Sequence, residues 1–139
     1  YKTQGTNAVG NRFPVGRRDF LHHSSAGKSI LAHLPTDRVD EIVDQHGLPE
    51  LTQNTITDRE SLRSELDKIR ENGYSLNLEE EIKGVHAVGS AIEDDEGRVM
   101  GAVSISGPTT RLGRNRLEGE IANMVKNAVN IIEIKLSTQ

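Results

Sequence analysis

Val85-His86-Ala87-Val88-Gly89-Ser90-Ala91-Ile92-Glu93, the tetrapeptide Asp94-Asp95-Glu96-Gly97, and Arg98-Val99-Met100-Gly101-Ala102-Val103-Ser104-Ile105-Ser106 together decide the fold. Two runs of period-two apolar residues flank a polar, Gly-ending turn, which is the pattern of a β-hairpin. Gly107-Pro108 ends the second run. Alternation places Val99, Val103 and Ile105 on one face of that strand. Met100, Ala102, Ser104 and Ser106 lie on the other. A tight hairpin joins antiparallel neighbours, so the sheet is expected to be antiparallel.

Working back from the hairpin, Tyr74 to Leu78 reads as a further strand, and Glu79-Glu80-Glu81 as a charged turn. Before it, Thr57-Asp58-Arg59-Glu60 has capping-box spacing. The helix it opens carries Leu62, Leu66 and Ile69 on one face, turns Glu65, Lys68 and Glu71 to water, and closes at Asn72-Gly73. Earlier still, Ala26, Ile30, Leu31 and Leu34 recur at helical spacing behind Ser24 or Ser25 as N-cap. Pro35 stops that helix. Thr36 caps a second one with Val39, Ile42 and Val43 on one side, ended by Gly47 and Pro49. Residues 1–20, rich in Gly, Asn and Arg, read as a short strand and a long loop.

Working forward, one long helix is expected from about Arg114 to Leu136. Its apolar stripe is Leu117, Ile121, Met124, Val125, Ala128 and Ile132. The element order is β, loop, three helices, β, hairpin, long helix. This is an α+β class with helices packed on an antiparallel sheet.

The 139 residues are the size of one domain. A hydrophobic content of 34% allows a core, and 3% aromatics make that core aliphatic. The net charge of −4 argues against bulk attraction to nucleic acid or an anionic membrane. With no Cys, disulfides, thiolate metal sites and cysteine nucleophiles are excluded. No apolar run has the length of a membrane span and no signal-peptide pattern is present. A cytoplasmic protein is therefore expected. The chain opens at Tyr1 without Met, which reads as a piece of something longer.

Two constellations carry chemistry. Ser104 and Ser106, two residues apart, point the same way. They are either the floor of a small-ligand pocket or a solvated face. The helix start at Ser24-Ser25-Ala26-Gly27 has small residues around its first N–H groups, where the helix dipole favours an anion. Plain capping by Ser is the alternative reading. Gly27-Lys28-Ser29 lacks the upstream Gly of a P-loop, because His22 stands there. His22, His23, His33, His46 and His86 show no metal-ligand spacing. In an extended segment the adjacent His22 and His23 would point to opposite sides. The acidic turns read as solvated, and no catalytic nucleophile stands out. No cofactor, metal or enzymatic activity is expected.

Four segments, in this order and spacing, resemble the effector-binding domain of IclR-type transcriptional regulators. They are His22-His23-Ser24-Ser25-Ala26-Gly27-Lys28-Ser29-Ile30-Leu31-Ala32, Gly73-Tyr74-Ser75-Leu76-Asn77-Leu78-Glu79-Glu80, Gly84-Val85-His86-Ala87-Val88-Gly89-Ser90-Ala91-Ile92, and Val103-Ser104-Ile105-Ser106-Gly107-Pro108 followed by Arg111. The resemblance implies a GAF-like, profilin-like fold and a single effector-binding domain, with the winged helix-turn-helix and probable first strand outside this chain. It implies a small carboxylate metabolite held by the N–H groups of Ser25 and Ala26 and by Ser104 and Ser106. Asn77, where the family often has an acid, and Ala87, where it often has Cys, would shape the far end. The loop Val9 to Phe20 would cover the pocket. It further implies self-association as a dimer or tetramer, and contact with DNA only through the missing domain. An oligomerisation module without ligand, or less favourably a small enzyme, are the competing readings.

Overall fold

In the computed structural model, residues 21–138 are described. The strand and the covering loop expected within residues 1–20 lie outside them.

Helices α1 (Ser25–Ala32), α2 (Thr36–His46) and α3 (Arg59–Asn72) precede strands β1 (Ser75–Leu78), β2 (Val85–Glu93) and β3 (Val99–Pro108). A short helix α4 (Arg114–Arg116) then runs through a π turn (Leu117–Ile121) into α5 (Ala122–Ser137). The strands form one antiparallel sheet in the order β1-β2-β3. The α+β class and the hairpin are as the alternation predicts.

Two apolar clusters hold these elements. Leu31 and Ala32 of α1, Val39 and Val43 of α2, and Leu62, Leu66 and Ile69 of α3 form the first. Val88 of β2 forms the second with Leu112, Leu117, Ile121, Ala122 and Val125, and Leu76, Val103 and Ile105 pack against it. Burying each such aliphatic side chain contributes roughly 1.5–3 kcal/mol. The sheet therefore lies between α5 on the face of Val88 and α1 on the opposite face. The second face is set by Gly89, where an added Cβ would meet the Ser25 backbone at 2.9 Å.

Helix ends differ in detail from the sequence reading. Ser24 caps α1, its Oγ accepting from the Gly27 N–H at 2.9 Å. Thr36 is the first residue of α2 rather than its cap; Pro35 holds the cap position and offers no side-chain acceptor. Asp58, not Thr57, caps α3, accepting from the Ser61 N–H at 2.8 Å. A carboxylate one position nearer the helix simply outcompetes the hydroxyl for the free donors.

The long C-terminal helix departs most. A π turn carries one more residue than an α turn, so every later side chain is rotated by one position. Of the expected stripe, Leu117, Ile121 and Val125 are buried and Ala128 and Ile132 half-buried, but Met124 is 52% exposed and Val129, outside that stripe, is buried. At the far edge of the sheet the β2–β3 register shifts at Ile92 and Glu93. There the Glu93 N–H donates to a Glu133 carboxylate oxygen of α5 at 2.8 Å.

Candidate functional site

Residues directly opposite one another in an antiparallel pair share a face. Asn77 pairs with Ala87, and Ala87 with Ser106. Ser75 pairs with Gly89, and Gly89 with Ser104. Two rows, Asn77-Ala87-Ser106 and Ser75-Gly89-Ser104, thus cross the sheet on the face that α1 covers. All six residues singled out from the sequence meet here: Ser25 and Ala26 at the start of α1, and Asn77, Ala87, Ser104 and Ser106 beneath it.

Gly89 is the reason the helix start can come so close. A Cβ there would lie 2.9 Å from the Ser25 carbonyl carbon, 3.0 Å from its oxygen and 3.1 Å from the Ala26 nitrogen. Gly27 plays the same part above, since its Cβ would sit 2.2 Å from the Leu21 carbonyl oxygen. Glycine inside a strand often marks such a close backbone approach. Within the helix, Gly27 and Lys28 send their N–H groups to Ser24 Oγ and Ser24 O. The N–H groups of Ser25 and Ala26 precede the intrahelical ladder and stand at the positive end of the helix.

The six residues differ in exposure. Ser25, Asn77 and Ala87 are buried and Ala26 is half-buried. Ser104 and Ser106 are exposed. The described residues therefore form an open shelf on this face, and the enclosed pocket expected from the sequence is not made by them alone. The concavities at α2, beside α5 and beside the turn after β1 are lined by none of the six.

Asn77 is already engaged. Its Oδ1 accepts from the Glu80 N–H at 2.8 Å and its Nδ2 donates to the His23 carbonyl at 3.1 Å. One amide hydrogen remains for a ligand. Ser75, which the sequence reading passed over, donates to the Ser25 carbonyl and accepts from Ser29 Oγ at 2.9 Å. Its place one row from Asn77 on the same face is a signal that strand alternation alone could have supplied.

Lys28 is fully buried. Its Nζ donates to Glu65 Oε2 and Glu80 Oε1, both at 2.8 Å, and to the Leu76 carbonyl at 2.6 Å. All three ammonium donors are thereby used, so Lys28 is not presented to a phosphate. Glu65, expected to face water, instead reaches inward to this ammonium.

His22 and His23 are also buried, because Leu21 to Ser24 form a turn and not an extended segment. Their rings meet edge to face at 5.3 Å. His22 Nε2 lies 2.9 Å from the Pro49 carbonyl. His23 Nδ1 is buried without a hydrogen bond among the described residues, 3.9 Å from a Glu81 carboxylate oxygen. His86 occupies the opposite sheet face, its Nδ1 2.7 Å from the Leu112 carbonyl. Among the described residues no cluster of His and carboxylates is arranged to hold a metal ion.

Burial pushes the His22 imidazole below its ordinary pKa of 6.5. The Pro49 carbonyl works the other way, and neighbouring His23 adds to the lowering. The folded chain thus binds fewer protons than the unfolded chain just below pH 6.5. Stability contributed by His22 is full above that value and is lost as pH falls toward the folded pKa. The urea midpoint of the native chain should therefore drop more than that of His22→Gln between about pH 7.5 and about pH 5.5. Equal drops would contradict this assignment.

Residues 1–134 match the family model described as "Bacterial transcriptional regulator IclR C-terminal", and the chain belongs to that family. The "Probable HTH-type transcriptional regulator ArcR" of Halobacterium salinarum is 36% identical over 141 residues, covering 99% of this chain and 54% of that protein. The crystal structure of IclR from Thermotoga maritima superposes with a TM-score of 0.88 at 33% identity, over 96% of this chain and 54% of that one. The inducer-binding domain of PobR from Acinetobacter, a double mutant in complex with 3-hydroxybenzoic acid, gives a TM-score of 0.80 at 29% identity, over 89% of this chain and 73% of that one. The chain spans about half the length of the curated relatives it matches. These relatives are regulators and the family is regulatory, not enzymatic. Among the described residues no helix is long and apolar enough to cross a membrane.

Proposed function

We propose that this chain is the effector-binding domain of a cytoplasmic IclR-type regulator, and that its effector is a small organic acid. The N–H groups of Ser25 and Ala26 take the carboxylate, with Ser104 and Ser106 donating from the sheet. Asn77 and Ala87 shape the other end. DNA is contacted by a winged helix-turn-helix outside this chain. Binding acts by favouring one arrangement of the assembly over another.

The observation that carries this reading is the seating of α1 on Gly89. It brings the Ala26 nitrogen to 3.1 Å from where a side chain would begin, in the row that ends at Ser104. Helix N–H groups and paired hydroxyls there can all donate to an anion. The PobR complex with an aromatic hydroxy acid supports the ligand class.

Thermal-shift and calorimetric screening of the full chain against two- to eight-carbon and aromatic acids tests this. At least one acid should bind saturably without turnover. Ser104→Ala with Ser106→Ala should weaken it by about tenfold or more, as expected for hydrogen bonds to a charged group at about 1.5–3 kcal/mol each. Unchanged binding in the double variant would remove both serines from the site.

The second reading, an assembly module, is favoured by one feature of α5. Met124, Ile131 and Ile134 stand 52%, 55% and 56% exposed along one side of it. Such a stripe suits self-association as a dimer or tetramer. Ile131→Glu with Ile134→Glu should lower the sedimentation mass while leaving the thermal midpoint nearly unchanged. An unaltered mass would place the contact elsewhere.

A further inference from the structure

A cavity of about 500 Å³ lies away from the sheet face, between α1, α2 and the segment after α2. Its floor is aliphatic: Leu21, Leu31, Ile42, Val43 and Leu48. Along α2, Arg38, Ile42, Gln45 and His46 follow one another at helical spacing on the side that faces it. Its volume is in the range of small-molecule sites, which are mostly apolar with a few polar groups fixing orientation.

The charge of the lining selects the ligand. Arg38, His22 and His46 border the cavity, and no carboxylate is among its described lining residues. This is notable on a helix that also carries Asp37, Asp40, Glu41 and Asp44. The Arg38 guanidinium is 56% exposed and meets Glu41 at 3.0 Å, an exposed pair that a competing carboxylate can replace at little cost.

We propose that this cavity is a second ligand site, for an amphipathic monocarboxylate whose chain or ring lies on Leu31, Ile42 and Leu48 and whose anionic end meets Arg38. It is separate from the shelf on the sheet. The two share the turn Leu21 to Ser24: Leu21 and His22 border the cavity, and the His23 carbonyl holds Asn77.

Octanoate is a suitable probe, with octylammonium as the cation of equal length. Methyl spectra of the full chain should show saturable displacement of the Ile42 and Leu48 signals by octanoate, and weaker displacement by octylammonium. Arg38→Gln should raise the octanoate dissociation constant about fivefold, as for a solvent-exposed ion pair. Ile42→Trp, which fills the cavity, should abolish the response at Leu48. The Ser104→Ala, Ser106→Ala variant should respond at Ile42 as the native chain does. Silent Ile42 and Leu48 methyls at millimolar octanoate would overturn the proposal, as would equal displacement by the two probes or indifference to Arg38→Gln. Loss of the Ile42 response in the serine variant would also overturn it, by tracing the signal to the sheet.

Discussion

Replacing Lys28 by Met is expected to remove about 3–5 kcal/mol of folding stability, a large share of the roughly 5–15 kcal/mol typical of a domain. The ammonium is fully buried and joins four elements at once: α1 supplies it, α3 supplies Glu65, β1 supplies the Leu76 carbonyl, and the turn after β1 supplies Glu80. Without it, the Glu80 carboxylate keeps, among the described residues, only the Leu78 N–H, at 3.1 Å, in a site where its side chain is 9% exposed. An unpartnered buried carboxylate is the costly part, so the loss should be coupled to its charge. Lys28→Met combined with Glu80→Gln should lose clearly less than the two single losses added together. Urea unfolding of the three variants measures this directly. A loss under about 1 kcal/mol for Lys28→Met would mean that water reaches the ammonium and that the node holds little.

The second large effect is at Gly89. Alanine there places a methyl carbon 2.9–3.1 Å from the Ser25 carbonyl and the Ala26 nitrogen. Both are backbone, so neither can turn aside as a side chain would, and the start of α1 must lift from the sheet. Overpacking of this kind costs about 1–3 kcal/mol. The functional loss should be larger than the stability loss suggests. Displacing α1 separates the Ser25 and Ala26 N–H groups from Ser104 across the row, and acid binding should fall below detection. Gly101→Ala is the control. An added Cβ at Gly101 meets nothing within 4 Å, and both stability and acid binding should stay near native. Native-like acid binding by Gly89→Ala would refute the geometry of the shelf.

The hairpin was legible because its alternation and its acidic turn agree, and agreement between levels is what a foldable sequence shows. Its end was not: β3 carries on through Gly107 and Pro108, which pair with His86 and Val85, where the sequence suggested a stop. The helices were legible as elements and less so at their ends. Caps are decided by which oxygen lies nearest the free N–H groups, and neighbouring Thr57 and Asp58 are both good capping residues one position apart. The π turn could not be read. Leu117, Ile121 and Val125 fit an unbroken α-helix, and the extra residue shows only in Met124, which is exposed, and in Val129, which is buried where Ala128 is half-buried.

The placement of Ser104 and Ser106 on one strand face, and of Ser25 and Ala26 at a helix start, was legible because strand alternation and helix capping act locally. The candidate site was not legible where two distant segments meet. Nothing local to Gly89 says that α1 rests on it, and nothing local to Glu65 says that it turns inward to Lys28, 37 positions away. The buried His22 and His23 follow the same logic, since only the turn at Leu21 to Ser24 brings both rings inside.

The most direct measurement is the amide spectrum of the full chain while an acid that stabilises it is added. Capture of a carboxylate by the start of α1 predicts that the Ser25 and Ala26 proton resonances move downfield and saturate together with the calorimetric titration. If both stay fixed while the acid binds, anion capture at this helix start is wrong.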